Sequence, residues 1–239
     1  MNLFTNGCSF TWGGSIYPKM YDSSGQLLDY YNTSELNQER LRTVWPGQLA
    51  RLMSADTCVN LSLTCASNER ILRTTMEFFL NPANQNKDWL AIIQWSLPER
   101  FEFWSDENNC WAVVSPQWVT FNNSQSTTPA EQTDAFLKHV YGMQGYKTYA
   151  QRFWTQLIAM SSFLSSQGID YRFTRLMRLP YEHLEPWQTE YAITQLPWIA
   201  DGRIHDFGQM FDPVNRMPMG HPTALGHEQV AQYIWNSIK

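Results

Sequence analysis

The chain has 239 residues, a length that fits one domain with a substantial hydrophobic core. Its formal net charge is −5 and its lysines and arginines form no runs, which argues against nucleic acid or an anionic membrane as a partner. No stretch has the apolar length that spans a membrane, and the N-terminus lacks a basic segment followed by an apolar one, so we expect a cytoplasmic protein.

The first half of the sequence alternates predicted strands with predicted helices. Residues 3–5 form a short strand candidate that ends at the Asn6-Gly7 turn, and residues 12–37 read as a long loop. Helical spacing of apolar residues covers 39–53, and Pro46 divides that segment. A second strand over 58–62, a helix over 68–80 and a continuous apolar strand over 89–95 follow.

The second half continues the pattern with longer irregular segments. Residues 111–121 indicate a pair of strands or an aromatic flap, and 122–129 form a polar loop. Helices are predicted over 130–141 and 146–166, with Gly168 ending the second before a strand over 170–177. Residues 178–220 are irregular and rich in proline, and an amphipathic helix over 223–238 closes the chain.

This order of elements predicts an α/β fold in which a doubly wound, mostly parallel sheet carries helices on both faces. We find no internal repeat and no linker, so we expect a single domain over 1–239 with loop insertions near 12–37, 104–130 and 178–220. In such folds the ligand crevice lies at the carboxyl ends of the strands. Ser9, the turn over 64–68 and Ser96 all follow predicted strands and should meet there.

Two short segments far apart in the chain carry residues typical of acyl-transfer chemistry. Ser9 follows a strand and Gly7, a combination that can present its hydroxyl as a nucleophile and its backbone N–H to an oxyanion. The alternative is that Ser9 only bonds the turn. His221 precedes Pro222, which predicts a position near a helix N-cap, where the helix dipole favours a neutral imidazole base or the ring simply caps the helix.

The segments Gly7-Cys8-Ser9-Phe10-Thr11 and His221-Pro222-Thr223-Ala224-Leu225-Gly226-His227 resemble the first and last sequence blocks of the SGNH/GDSL hydrolases. The resemblance implies a flavodoxin-like three-layer α/β/α sandwich and esterase, lipase, acetylesterase or carbohydrate-deacetylase activity. It implies Ser9 as the nucleophile and His221 as the base. His227, six residues after His221, reads as a packing or capping residue.

The middle blocks depart from the family pattern. Cys65 stands where the family usually has its oxyanion glycine, although a backbone N–H survives that change. Pro98 replaces the asparagine whose amide completes the oxyanion hole, and Asn68 is a candidate to substitute for it. Ser96, after the central strand, is a further candidate. Arg100 is predicted either to hold a carboxylate or a sugar hydroxyl over the crevice or to form a surface ion pair.

The family's acid is also missing from its usual place three residues before the histidine, where this chain has Pro218. Asp212 and Asp206 are the nearest upstream carboxylates, and neither has the usual spacing. A Ser–His dyad with a backbone carbonyl orienting His221 is the simplest replacement. Loss of an aspartate partner lowers kcat by about 10⁴ in serine proteases, so these departures bear directly on activity.

We therefore expect a serine hydrolase that cleaves an O-acetyl or other short acyl ester, with a glycan as the favoured substrate and no metal or organic cofactor. The four cysteines show no metal-like spacing and are predicted to be free thiols. Several loop aromatics suit stacking on sugar rings, namely Trp12, Tyr17, Trp104, Trp111 and Trp118. The alternative is an inactive domain that serves binding or assembly. A nucleotide-binding protein is disfavoured because no Gly-rich phosphate loop is present.

Overall fold

The computed structural model describes residues 1–14, 34–106, 109–115, 118–121, 130–143, 145–175, 181–199 and 220–239. The strands are β1 (Asn2–Asn6), β2 (Cys58–Asn60), β3 (Trp89–Trp95), β4 (Phe101–Ser105), β5 (Cys110–Ser115), β6 (Trp118–Phe121) and β7 (Asp170–Arg175). The helices are α1 (Ser9–Trp12), α2 (Ser34–Thr43), α3 (Trp45–Met53), α4 (Asn68–Leu80), α5 (Ala130–Met143), α6 (Tyr146–Ser166), α7 (Pro186–Thr194) and α8 (Ala224–Ile238).

A four-stranded parallel sheet in the order β2-β1-β3-β7 forms the centre of the fold. Phe4 of β1 lies between Val59 of β2 and Ala91 of β3 in the register. Every residue of β3 is buried, as expected of a central strand covered on both faces. The prediction of an α/β fold with a mostly parallel central sheet is confirmed.

The strand order reverses between β1 and β3, which makes this the topological switch point of the sheet. Helices surround the sheet, with α3 packed against α8 and α4 packed against α6. The carboxyl ends of β1 and β3 are therefore the place where a ligand crevice is expected. Ser9 and Ser96 follow these two ends directly.

A second sheet is antiparallel, in the order β4-β5-β6. The sequence predicted a pair of strands or an aromatic flap over 111–121. The structure has β5 and β6 there and adds β4, which was not predicted. Glu102 of β4 is buried in an ion pair with Arg73 of α4, at 3.0 Å, and the Arg73 guanidinium lies 4.2 Å from the ring centre of Trp111. These contacts fix the small sheet against α4.

Two other predictions differ from the structure. Helix α2 begins at Ser34, inside the loop predicted over 12–37, and α7 lies inside the irregular segment predicted over 178–220. Helix α7 begins with a capping box between Glu185 and Gln188 and with Pro186 in its first turn. Residues 15–33 and 200–219 lie outside the described residues.

The core contains large side chains from every strand of the parallel sheet except the short β2, with Trp45, Phe153 and Ile234 packed on it from the helices. Within the described residues, no helix combines the length and apolar character that a membrane crossing requires. The division of the chain into a single domain stays a prediction.

Candidate active site

The turn that carries Ser9 is fixed by the side chain of Asn6, the last residue of β1. Its amide donates to the Ile71 carbonyl at 3.1 Å and to the Thr75 hydroxyl at 3.0 Å, both on α4, and its oxygen accepts the Gly7 N–H at 2.9 Å. A Cβ on Gly7 would lie 2.6 Å from Thr11 Oγ1. The position therefore requires glycine because of this close approach.

Gln94 of β3 also holds the turn that carries Ser9. Its Oε1 accepts a hydrogen bond from Thr11 Oγ1 at 2.6 Å and a longer one from Cys8 Sγ at 3.5 Å. All three side chains are buried. The backbone around Ser9 is thus held between α4 and the central strand, which gives the serine hydroxyl a defined direction.

Ser9 and His221 lie next to each other although 212 positions separate them in the chain. The distance between Ser9 Oγ and His221 Nε2 is 2.8 Å, which is a hydrogen bond of ordinary length. The Phe10 ring lies against the imidazole, with 4.6 Å between ring centres. The structure therefore places the two residues of the predicted dyad in the geometry in which a base can accept a proton from a nucleophile.

Gly14, which the sequence analysis did not single out, allows this approach. A Cβ at Gly14 would lie 3.1 Å from Cδ2 and Nε2 of His221 and 3.1 Å from the Cβ of Ser9. The sequence signal for this close approach was the pair Gly13-Gly14. In the structure Gly13 ends α1 with a φ of 94°, and the Gly14 N–H donates to the Ser9 carbonyl at 2.7 Å.

His221 lies just before the last helix, and its surroundings shift its pKa. Helix α8 begins at Ala224, and Thr223 is its N-cap, with the Thr223 hydroxyl accepting the Gly226 N–H at 3.1 Å. His221 thus lies two residues before the N-cap, near the start of the helix as predicted, and Thr223 supplies the capping oxygen. Burial, and then the positive charge of Arg100, lower the pKa of His221 below its ordinary value. The lower pKa favours the neutral form of the ring.

The loop after β2 brings Cys65 to the same edge of the sheet. Cys65 has a φ of 62°, in the left-handed region that favours glycine, and this is the position where the family pattern has one. The Leu63 N–H donates to the Gly7 carbonyl at 3.2 Å, which ties the loop to the nucleophile turn. Among the described residues, no group accepts a hydrogen bond from the backbone N–H of Ser9 or of Cys65. Both remain candidate oxyanion donors.

Asn68 and Ser96 form a pair on the opposite side of the turn. The Asn68 amide accepts the Ser96 N–H at 2.8 Å and donates to the Ser96 carbonyl at 3.3 Å, which uses one of its two N–H groups. Burial raises the pKa of the Cys8 thiol, and the side chains of Ser96 and Ser9 act in the opposite direction. Asn68 thus positions Ser96 beside the nucleophile turn, and its role as an oxyanion donor stays a prediction.

Arg100 lies at the site. It is half-buried, and its Nη1 donates to Ser96 Oγ at 3.1 Å. Burial raises the pKa of the Cys8 and Cys65 thiols, while the charge of Arg100 acts in the opposite direction on both. The guanidinium therefore lies within electrostatic reach of the nucleophile turn, the Cys65 loop and the His221 ring. Both roles predicted for Arg100, over the crevice or in an ion pair, stay predictions.

His227 and Trp12, which were also singled out in the sequence, are buried. His227 is fully buried in α8, where its Nδ1 accepts the Trp45 N–H at 3.1 Å, so it caps α3. Trp12 is 2% exposed and cannot stack on a sugar in this conformation, whereas Trp104 is 46% exposed. Residues Asp206, Asp212, Pro218 and Tyr17 lie outside the described residues, and the side chain of Trp118 is also outside them.

Comparisons with known proteins found a matching family model and similar solved structures. A member of the lipolytic protein G-D-S-L family from Veillonella parvula DSM 2008 matches with a TM-score of 0.49 and 10% identity, over 99% of this chain and 97% of that chain. No curated protein matches. A family model covers residues 26–193, a segment that includes Arg100 and neither Ser9 nor His221. The chain belongs to this family, which is described as a family of unknown function (DUF6071).

Proposed function

We propose that this protein is a serine hydrolase that cleaves a carboxylic ester, with Ser9 as the nucleophile and His221 as the general base. The observation that carries the proposal is the 2.8 Å distance between Ser9 Oγ and His221 Nε2. A serine hydroxyl is a weak nucleophile until a neighbouring base accepts its proton. The lowered pKa of His221 supports the proposal, because the ring starts in the neutral form that a base requires.

In the proposed reaction, Ser9 Oγ forms a bond to the ester carbonyl carbon while its proton moves to His221 Nε2. The carbonyl oxygen becomes an oxyanion, and in this proposal the backbone N–H groups of Ser9 and Cys65 donate to it. The carbon–oxygen bond to the alcohol then breaks, and His221 returns the proton to the departing alcohol. Water, activated by His221, hydrolyses the acyl-serine to the free acid and restores Ser9.

The positive φ of Cys65 supports the oxyanion role of its backbone. A non-glycine residue in this region carries a cost of about 1 kcal/mol, and such strain persists where the surrounding structure holds the backbone for a purpose. The narrower proposal for the substrate is an O-acetyl or other short acyl ester on a glycan. The exposed Trp104, which packs edge-on against Trp111 at 5.6 Å, offers a surface on which a sugar ring can stack.

The test is hydrolysis of 4-nitrophenyl acetate by the purified protein and by Ser9→Ala and His221→Ala. We expect each substitution to lower kcat/KM by roughly 10³-fold or more, as for other serine–histidine sites. Ser237→Ala and His139→Ala are matched controls, because both residues are exposed on helices away from the site. They should change the rate by less than about twofold.

A fluorophosphonate reagent gives a second readout that does not depend on the choice of ester. It should label Ser9 in the wild type and not in His221→Ala, as read by mass spectrometry of the peptides. If every variant matches the buffer rate and Ser9 is not labelled, the hydrolase proposal is wrong. That result would favour the alternative of a domain that binds or assembles without catalysis.

A further inference from the structure

Helix α1, which begins with Ser9, has only four residues and needs support from other elements. A single helical turn is unstable by itself, because it orders several residues for very few hydrogen bonds. Two successive carbonyls at its C-terminal end accept hydrogen bonds from side chains. The Thr11 carbonyl accepts one from Asn60 Nδ2 of β2 at 3.2 Å. The Trp12 carbonyl accepts one from Arg40 Nη1 of α2 at 2.9 Å.

Arg40 also contacts the side chain of Trp12. Its guanidinium lies 4.8 Å from the centre of the Trp12 ring. Both residues are buried, with Arg40 only 4% exposed. A cation at the C-terminal end of a helix is favourable, because the carbonyl groups there carry partial negative charge. A hydrogen bond from a charged donor is also stronger than one between neutral groups. Arg40 therefore holds the end of α1 firmly.

The backbone that carries Arg40 is itself closely packed. A Cβ on Gly47 of α3 would lie 1.6 Å from the Leu41 carbonyl oxygen, so the last turn of α2 is in direct contact with α3. The Arg40 carbonyl accepts the Val44 N–H at 3.0 Å, at the junction of the two helices. Such close packing leaves little room for movement, and the position of Arg40 is therefore determined by α3.

Helix α3 in turn contacts the helix that follows the general base. It packs against α8, and the Trp45 N–H at its start donates to His227 Nδ1 at 3.1 Å. His221 lies two residues before the N-cap of α8. Arg40 thus connects the short helix that begins with Ser9 to the group of helices that carries the base. A misplacement of about 1 Å between reacting groups can lower a rate by about 100-fold, so such a connection matters for the rate.

We infer that Arg40 is a positioning residue for the proposed hydrolysis. It holds the C-terminal end of α1 through Trp12, and it thereby keeps Ser9 Oγ within hydrogen-bonding distance of His221 Nε2. The inference rests on the proposed hydrolase function for its effect on the rate. It also predicts a change in the order of α1 that can be measured without a substrate. Because Arg40 acts through α1, its loss should lower kcat and leave KM nearly unchanged.

The first experiment measures hydrolysis of 4-nitrophenyl acetate by the wild type, Arg40→Met and Arg40→Lys. We expect Arg40→Met to lower kcat by about 10- to 100-fold with KM changed by less than about twofold. Arg40→Lys keeps the charge and should retain part of the rate, with a loss of about 3- to 10-fold. If Arg40→Met does not fold, Arg40→Lys carries the comparison. Arg42→Met is the matched control at an exposed arginine of the same helix and should keep the wild-type kcat.

The second experiment follows hydrogen exchange of the backbone in the absence of substrate. The N–H groups of Gly13 and Gly14 donate to the Ser9 carbonyl at 2.8 and 2.7 Å, so their exchange reports whether α1 is formed. We expect these two amides to exchange at least about tenfold faster in Arg40→Met than in the wild type. Amides of the buried strand β3 should keep their wild-type rates, because the expected change is local and not a loss of global stability.

Four outcomes would overturn the inference or separate it from the proposed function. A wild-type kcat in folded Arg40→Met overturns it, as does unchanged exchange at Gly13 and Gly14. A rise in KM with an unchanged kcat also overturns it, because that pattern belongs to a residue that binds the substrate. If the wild type hydrolyses no ester while exchange in α1 depends on Arg40, the hydrolase proposal fails and the role of Arg40 in holding α1 stands.

Discussion

The burial of His227 predicts that the protein loses stability in mild acid. The ring is completely buried between α3 and α8, and burial, with a smaller effect from His221, lowers its pKa to about 3. In the unfolded chain a histidine has a pKa of about 6.5. Between these two values the unfolded state binds a proton that the folded state does not, so the free energy of unfolding falls as pH falls.

The size of the effect follows from the two pKa values. The contribution is fully present above pH ~6.5 and is lost at about 1.4 kcal/mol per pH unit below it. Between pH 7 and pH 5 the loss comes to about 2 kcal/mol, and by pH 4 to about 3 kcal/mol, as order-of-magnitude figures. Because many domains have only 5–15 kcal/mol of stability, a change of this size is easily measured.

Urea unfolding at pH 7 and pH 5 tests this reasoning. The wild type should lose about 2 kcal/mol more than His227→Asn between these pH values, since asparagine keeps an acceptor near the Trp45 N–H and does not titrate. His139→Asn, on the exposed face of α5, is the control and should behave like the wild type. If His227→Asn loses as much stability as the wild type, the buried histidine is not the source of the acid sensitivity.

Further predictions concern the geometry and the titration of the site. Gly14→Ala should lower kcat of ester hydrolysis by roughly 10- to 100-fold with folding stability little changed, because the added Cβ contacts the His221 ring. An unchanged kcat would show that the ring can shift without loss of activity. Gly7→Ala should lower the free energy of unfolding by about 1–3 kcal/mol in urea titrations, because its Cβ meets Thr11 and Gln94; a wild-type value would contradict the close packing. The rate of ester hydrolysis should fall as the pH is lowered, because protonation of His221 removes the base, and the midpoint of this fall should lie below the ordinary histidine pKa. Arg100→Met should raise the pH of that midpoint. A midpoint that does not move would mean that the Arg100 charge does not act on His221.

The sequence predicted the elements whose signals are local and strong. Helices α4 and α6 have the predicted bounds, because each carries a clear apolar stripe and a defined beginning or end, such as the Ser67 cap of α4. Helix α7 was missed because its apolar residues form no stripe, although Glu185, Pro186 and Gln188 together were a readable start signal. Strand β4 was missed because a buried glutamate in a strand makes sense only with its partner Arg73 in view.

The site divides in the same way between local and long-range information. The sequence predicted Ser9 and His221 as a pair, because each motif consists of a few neighbouring residues and the two motifs occur in the expected order. The position of Arg100 is different, since the loop after β3 accepts hydrogen bonds from α5 and α6, from residues 42 to 54 positions away. No local pattern around Arg100 carries that information, so the sequence left both of its roles open.

The departures from the hydrolase pattern are consistent with one another when they are considered together in the structure. Cys65 keeps the left-handed backbone of the glycine that it replaces, so the change removes no donor N–H. Pro98 removes an amide side chain, and two residues later Arg100 donates to Ser96 Oγ. The missing asparagine amide therefore leaves the two backbone N–H groups as the candidate oxyanion donors, and the rate of ester hydrolysis by the wild-type protein tests that arrangement.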